Sequence, residues 1–92
     1  MAKFNKTTHG KRNGYLFQCP GCEVSHIVLT DAGTPQWGFN GDVDHPTVTP
    51  SIRVRGGGIG MCHSFVEGGK IRFLNDCTHE LAGQTVELPE WE

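Results

Sequence analysis

Cys62-His63-Ser64-Phe65-Val66-Glu67-Gly68-Gly69-Lys70-Ile71-Arg72-Phe73-Leu74 reads as a β-hairpin. Glycine in Glu67-Gly68-Gly69 supplies the positive φ that a tight connection needs. In the second run Ile71 and Phe73 fall on one face and Lys70 and Arg72 on the other, which is the two-residue period of a half-buried strand. Working outward, the apolar residues keep alternating or come in short runs broken by Gly, Pro, Asn and Asp. Candidate strands are Tyr15 to Gln18, Val24 to Leu29, Trp37 to Phe39, Ser51 to Arg55, Met61 to Val66, Lys70 to Leu74 and Gln84 to Leu88. No helical stripe competes with them. Asp76 to Gly83 allows one capped helical turn, with Asp76 as N-cap and Gly83 as stop. The expected fold is therefore mostly β: a small antiparallel domain of zinc-ribbon-like hairpins with at most one short helical turn.

Two stretches read as loops, Asn40 to Pro50 and the glycine run Gly56-Gly57-Gly58-Ile59-Gly60, the second as a flexible connector. A phosphate loop is excluded, because Gly69-Lys70 is followed by Ile71 where Ser or Thr is required. Lys3, Lys6, Lys11 and Arg12 crowd the first residues, so residues 1–14 are expected as a flexible basic arm and 15–92 as a single zinc-binding domain.

Ninety-two residues, 36% hydrophobic and with 13 glycines, make one small core that needs a staple. The N-terminus has no apolar secretory segment and nothing approaches the length of a membrane span, which points to the cytoplasm, with no membrane partner. There the four cysteines stay reduced and favour metal over disulfides. A net charge of −2 does not announce nucleic acid or a membrane surface.

Cys19-Pro20-Gly21-Cys22 lies between two candidate strands, the setting of a zinc knuckle: a two-residue spacing aims both sulfurs at one tetrahedral ion. A redox dithiol would open a helix, and Glu23 to Leu29 is a strand. The rest of the site should come from the hairpin. Cys62 and His63 begin one strand and Cys77 and His79 follow its partner, so both pairs gather at the open end. Adjacent strand residues point to opposite faces, so only one of Cys62 and His63 can ligate. The expected Zn2+ ligands are Cys19, Cys22, Cys62 and His79, with Cys77 and His63 as alternates. His26 is an undecided neighbour, and His9 and His45 belong to the surface. Four protein ligands make a structural site. With three, a metal-bound water could be activated by His63, Asp76 or Glu80. No His-Glu-x-x-His or deaminase signature is present.

Phe17-Gln18-Cys19-Pro20-Gly21-Cys22, Trp37-Gly38-Phe39-Asn40-Gly41-Asp42, Pro46 to Ser51, Cys62 to Val66, Gly69 to Leu74 and Asp76 to Pro89 resemble a family of small phage and prophage proteins of unknown function. Its members often carry the label "ammonia monooxygenase", which needs spanning helices and a His-rich copper site that this chain does not offer. The resemblance implies a phage-encoded cytosolic protein with a Cys/His metal site. Trp37, Phe39, Asn40 and Asp42 combine aromatic surface with polar tips, either as a cap on the core or as a binding face.

The leading expectation is a zinc-stabilised binding module, not an enzyme, that engages a host or phage protein. The alternatives are a nucleic-acid-binding protein, motivated by Arg53 and Arg55 on one strand face, and a zinc-dependent hydrolase with an open coordination position.

Overall fold

A computed structural model of the protein describes residues 2–33, 36–56 and 60–90. Among them are eight strands and no helix. β1 (Asn5–His9), β2 (Arg12–Gln18) and β3 (Ser25–Leu29) form one antiparallel sheet in that order. β4 (Gly38–Phe39), β5 (Val48–Gly56), β6 (Gly60–Glu67), β7 (Lys70–Phe73) and β8 (Thr85–Glu87) form a second, again in chain order. The fold is mostly β and antiparallel, as the alternation in the sequence implies. Residues 79–83 form a turn, closed by bonds from Ala82 N to His79 O and from Gln84 N to Leu81 O.

The hairpin that anchored the sequence reading is β6–β7, with Glu67 opposite Lys70 and Gly68 and Gly69 both at positive φ. Cys62, Ser64 and Val66 of β6 and Ile71 and Phe73 of β7 are buried, while Met61, His63, Phe65, Lys70 and Arg72 face outward. Buried residues of both sheets, Phe17 and Val28 from one and Ile52, Val66, Ile71 and Phe73 from the other, join in one core. At roughly 1.5–3 kcal/mol for each fully buried large apolar side chain, this core is the main favourable contribution to folding.

Residues 1–14 are not an arm. Asn5–His9 pairs with Arg12–Leu16 as an edge strand, and Phe4 ahead of it is buried, stacked on Phe17 at 5.3 Å and on Phe39 at 5.5 Å. The Lys3 and Phe4 amides both donate to the Val43 carbonyl, and the Lys3 ammonium reaches Glu87 at 2.6 Å. β1 is exposed or half-exposed along its whole length, so it carries none of the alternation by which a strand is recognised in sequence.

β5 and β6 are joined through the glycine run, whose central residues Gly57, Gly58 and Ile59 lie outside the described residues; Gly56 pairs with Gly60. From there the register runs Val54 opposite Cys62 and Arg53 opposite His63, then shifts between Val48 and Ile52. Such an irregularity bends a strand and re-aims its side chains. Ser51 lies in it.

Candidate active site

Side chains two residues apart on a strand share a face, so Ser51 stands beside Arg53 and diagonally across from His63. The diagonal is close: Ser51 Oγ lies 3.0 Å from His63 Nε2. On the other side of the same ring, His63 Nδ1 lies 3.0 Å from Asp76 Oδ2. A carboxylate only accepts, so Nδ1 carries the proton and donates to Asp76, which leaves the Nε2 lone pair to accept from the Ser51 hydroxyl. This is a nucleophile, a base and a group that orients the base, each at hydrogen-bond distance from the next. The His63 side chain is 23% exposed and that of Asp76 53%, so the arrangement lies open on the outer face of the sheet.

The backbone holds these three groups from both ends. Asp76 is flanked by residues bound to the peptide groups of His63 itself: Leu74 N donates to His63 O at 2.9 Å, and the Cys77 sulfur accepts from His63 N at 3.2 Å while its thiol donates to His63 O at 3.1 Å. Ser51 is held through its carbonyl, which accepts the Trp37 indole N–H at 3.2 Å. Trp37→Phe removes that donor and keeps most of the ring. Loss of the donor is expected to loosen Ser51 against His63 and to lower the reactivity of its hydroxyl by about tenfold or more, since small misplacements of a reacting group are costly. The rate of acylation of Ser51 by an electrophilic probe checks this, an unaltered rate being the contrary result.

Behind this face, the inward side chain next to His63 is that of Cys62. Its sulfur lies 3.7 Å from Cys19 Sγ, and Cys19, Cys22, His26 and Cys62 bring one ligand atom each within 4.8 Å of one another. A tetrahedral ion about 2.3 Å from each sulfur sets sulfurs about 3.8 Å apart, so the cluster is geometrically able to hold a metal ion. The knuckle turn is closed by bonds from Cys19 N to Val24 O and from Glu23 N to Cys19 O, with Glu23 at φ 61°. Gly21 is required there for space: a Cβ would sit 2.3 Å from the His79 ring.

The three sulfurs share charge unequally. A hydrogen bond from the Cys62 thiol brings Cys19 down to about 3, against the opposing effect of burial. Burial, reinforced by the neighbouring Cys19, pushes Cys22 up to about 11, and the bond to Cys19 together with burial pushes Cys62 up as well. One thiolate among two thiols is what the site tolerates without a cation, and a bound dication lets all three ionise.

The remaining sequence candidates divide between the two features. His79 Nε2 lies 3.6 Å from Cys62 Sγ, and His79 joins Cys62 and Cys77 in a second close group. His63 turns away to Ser51 and Asp76, as the opposite-face argument requires. Phe39 packs against Phe4 and Tyr15. The Asn40 amide donates to His45 O and accepts from Asp42 N, and the Asp42 carboxylate accepts from the amides of Asp44 and His45, so both brace their own loop. Glu80 lines a cleft with Pro20, Gly21, Glu23, Thr78, His79 and Leu81, away from Ser51. Ser51 enters the sequence reading only as the start of a strand and the end of a proline-bounded stretch, with no functional role attached to it. A signal for it existed: folding the chain about the glycine run brings Arg53 opposite His63 and Ser51 one diagonal away.

Residues 2–74 match the model of the BubE family, described as bacterial ubiquitination-like system serine protease. The chain belongs to the BubE family. Ser51 and His63 lie within the matched span and Asp76 two residues beyond it. Membership in BubE overturns the phage-protein resemblance, the expectation that the chain is not an enzyme, and the binding module with a host or phage partner. Nothing local in the sequence marks an enzyme: the cluster of Ser51, His63 and Asp76 is assembled from β5, β6 and the turn after β7, with no signature in any of them. No curated protein and no solved structure matches the chain at a significant level. Among the described residues no helix is long and apolar enough to cross a membrane.

Proposed function

We propose that the chain is a serine peptidase in which Ser51 is the nucleophile, His63 the general base and Asp76 the group that orients His63. The observation that carries the reading is the pair of 3.0 Å contacts, Ser51 Oγ to His63 Nε2 and His63 Nδ1 to Asp76 Oδ2. His63 takes the Ser51 proton as Oγ attacks a carbonyl carbon, then delivers it to the leaving group. An ester on Ser51 results, and water activated by the same imidazole hydrolyses it. Asp76 keeps the tautomer correct and stabilises the imidazolium. Of the readings offered by the sequence, the hydrolase is the nearest, with a serine hydroxyl where a metal-bound water was expected.

The family description supplies the setting. On that description the bond to be cut is an acyl bond of a polypeptide, the class of bond a serine protease hydrolyses. The open position of Ser51 on a sheet face suits an extended polypeptide tail better than a small enclosed molecule. A fluorophosphonate probe tests the assignment: we expect one covalent adduct per chain, located on Ser51 by mass spectrometry, absent in Ser51→Ala and strongly slowed in His63→Ala. Labelling elsewhere, or none, refutes it.

For the thiol cluster the proposed ion is zinc, held by Cys19, Cys22, Cys62 and His26. His26 is preferred to His79 on hydrogen-bond grounds. His79 Nδ1 accepts the Leu81 amide at 3.2 Å, so its proton is on Nε2, where it donates toward Cys62 and leaves no lone pair for a metal. Four protein ligands make the site structural.

A further inference from the structure

We infer that the substrate segment next to the scissile bond is an acidic extended chain that adds along the open edge of β5 and is read by Arg53 and Arg55. The inference rests on the serine-peptidase reading and names the recognition chemistry of that site. Three observations lead to it.

The first is a strand edge that starts beside the nucleophile. β4 covers β5 only at Val48 and Thr49 and the Trp37 indole takes the Ser51 carbonyl, so from Ile52 onward the edge of β5 away from β6 has no strand partner among the described residues. An unpaired edge is a template for another extended chain, and peptide recognition by strand addition uses such edges.

The second is charge. Ser51, Arg53 and Arg55 share a face, with Arg53 opposite His63 and Arg55 opposite Met61. Both arginines are exposed, and neither has a carboxylate partner among the described residues. Two other cations near the sheet are matched: Arg72 lies 3.7 Å from Glu67 and over the Phe65 ring, and Lys3 binds Glu87. Two unopposed guanidiniums beside the nucleophile stand out in a chain of net charge −2.

The third is register. At about 3.3 Å per residue, Arg53 and Arg55 stand about 7 and about 13 Å along the strand from Ser51. Antiparallel pairing is the more stable arrangement and aligns the course from Ser51 to Arg55 with the N-terminal direction of the added chain. The acidic side chains therefore lie two and four residues before the attacked residue, on the side that becomes the ester.

Fluorescence anisotropy of labelled octapeptides with the full chain carrying Ser51→Ala tests this. The peptides are neutral and β-branched except for Asp, Asn or Lys at two alternate positions. We expect the Asp peptide to bind at least tenfold tighter than the Asn peptide, with an advantage that falls as salt rises. Arg53→Glu with Arg55→Glu should transfer the preference to the Lys peptide, and Arg53→Gln with Arg55→Gln should abolish it without reversing charge. Equal binding of the Asp and Asn peptides, an unchanged preference in both double variants, or tighter binding of a single-stranded oligonucleotide of matched charge each overturns the proposal. Failure of the peptidase reading is distinguishable, because it shows as absent fluorophosphonate labelling of Ser51 whatever the anisotropy reports.

Discussion

Ser51→Ala is expected to leave a folded protein whose hydrolysis of its substrate is reduced by about four to six orders of magnitude. The substitution deletes one hydroxyl at a half-buried position on the outer face, so the core of Ile52, Val66, Ile71 and Phe73 is untouched and unfolding should occur within a degree or two of the parent. His63→Ala should cost as much as Ser51→Ala, and the double variant no more than either one, because nucleophile and base act as a unit. Asp76→Asn should cost about four orders of magnitude. An asparagine turned with its amide toward Nδ1 selects the tautomer whose proton is on Nε2, where it can no longer accept from Ser51. Single-turnover kinetics of the four variants separates this pattern from its rival. Additive losses of tenfold each, or full activity in Ser51→Ala, would show that some other group performs the attack.

Much of the fold can be read from the chain, and the failures have identifiable causes. β6 and β7 declare themselves because Val66, Ile71 and Phe73 alternate with charged or solvent-facing residues across a glycine turn. β1 does not, since its anchor is a single phenylalanine, Phe4, preceding a strand exposed on both faces. Cys19 and Cys22 stand out by their spacing and the structure brings them together with Cys62 and His26, while Cys62 and His63 point to opposite faces as consecutive strand residues do. That rule carried more information than a choice of ligand. By sending Cys62 inward it sends His63 outward, where an imidazole needs partners of its own. Those partners could not be found from composition: Asp76 lies beyond the end of β7, and Ser51 becomes a neighbour only through the register of β5 on β6. That register, which runs from Gly56 opposite Gly60, is set by strand pairing that no spacing in the sequence announces. The choice of His26 over His79 depended on a single backbone contact, Leu81 N to His79 Nδ1, which no spacing rule supplies.

Removal of the metal, or loss of a thiolate that holds it, is expected to unfold the protein. Structural zinc binding contributes roughly 10–16 kcal/mol in small domains, against a total stability of about 5–15 kcal/mol for a typical domain. The cluster ties the knuckle after β2 to Cys62 in β6, so it links the two sheets. Cys19→Ser and Cys62→Ser should therefore give chains without bound zinc and without a cooperative thermal transition. A strong chelator should reproduce this in the parent, reversibly on adding Zn2+. His26→Ala should resemble the cysteine variants. His79→Ala should retain about one zinc per chain with affinity lowered about 10- to 100-fold, as expected for a residue that donates a hydrogen bond to a ligand sulfur. Cys77→Ser separates the two features again: it spares the metal and, because serine is shorter and harder than cysteine, loosens the clamp on both peptide groups of His63. Metal analysis with thermal melts decides among these outcomes. A parent that contains no zinc and melts at the same temperature with and without chelator would leave the cluster as buried thiols. His79→Ala behaving as Cys62→Ser does would exchange the roles of the two histidines. Because Cys62 and His63 are consecutive on one strand, partial loss of zinc should also lower the rate of fluorophosphonate labelling at Ser51 before the sheet is lost, which connects the inward face of β6 to the chemistry on its outward face.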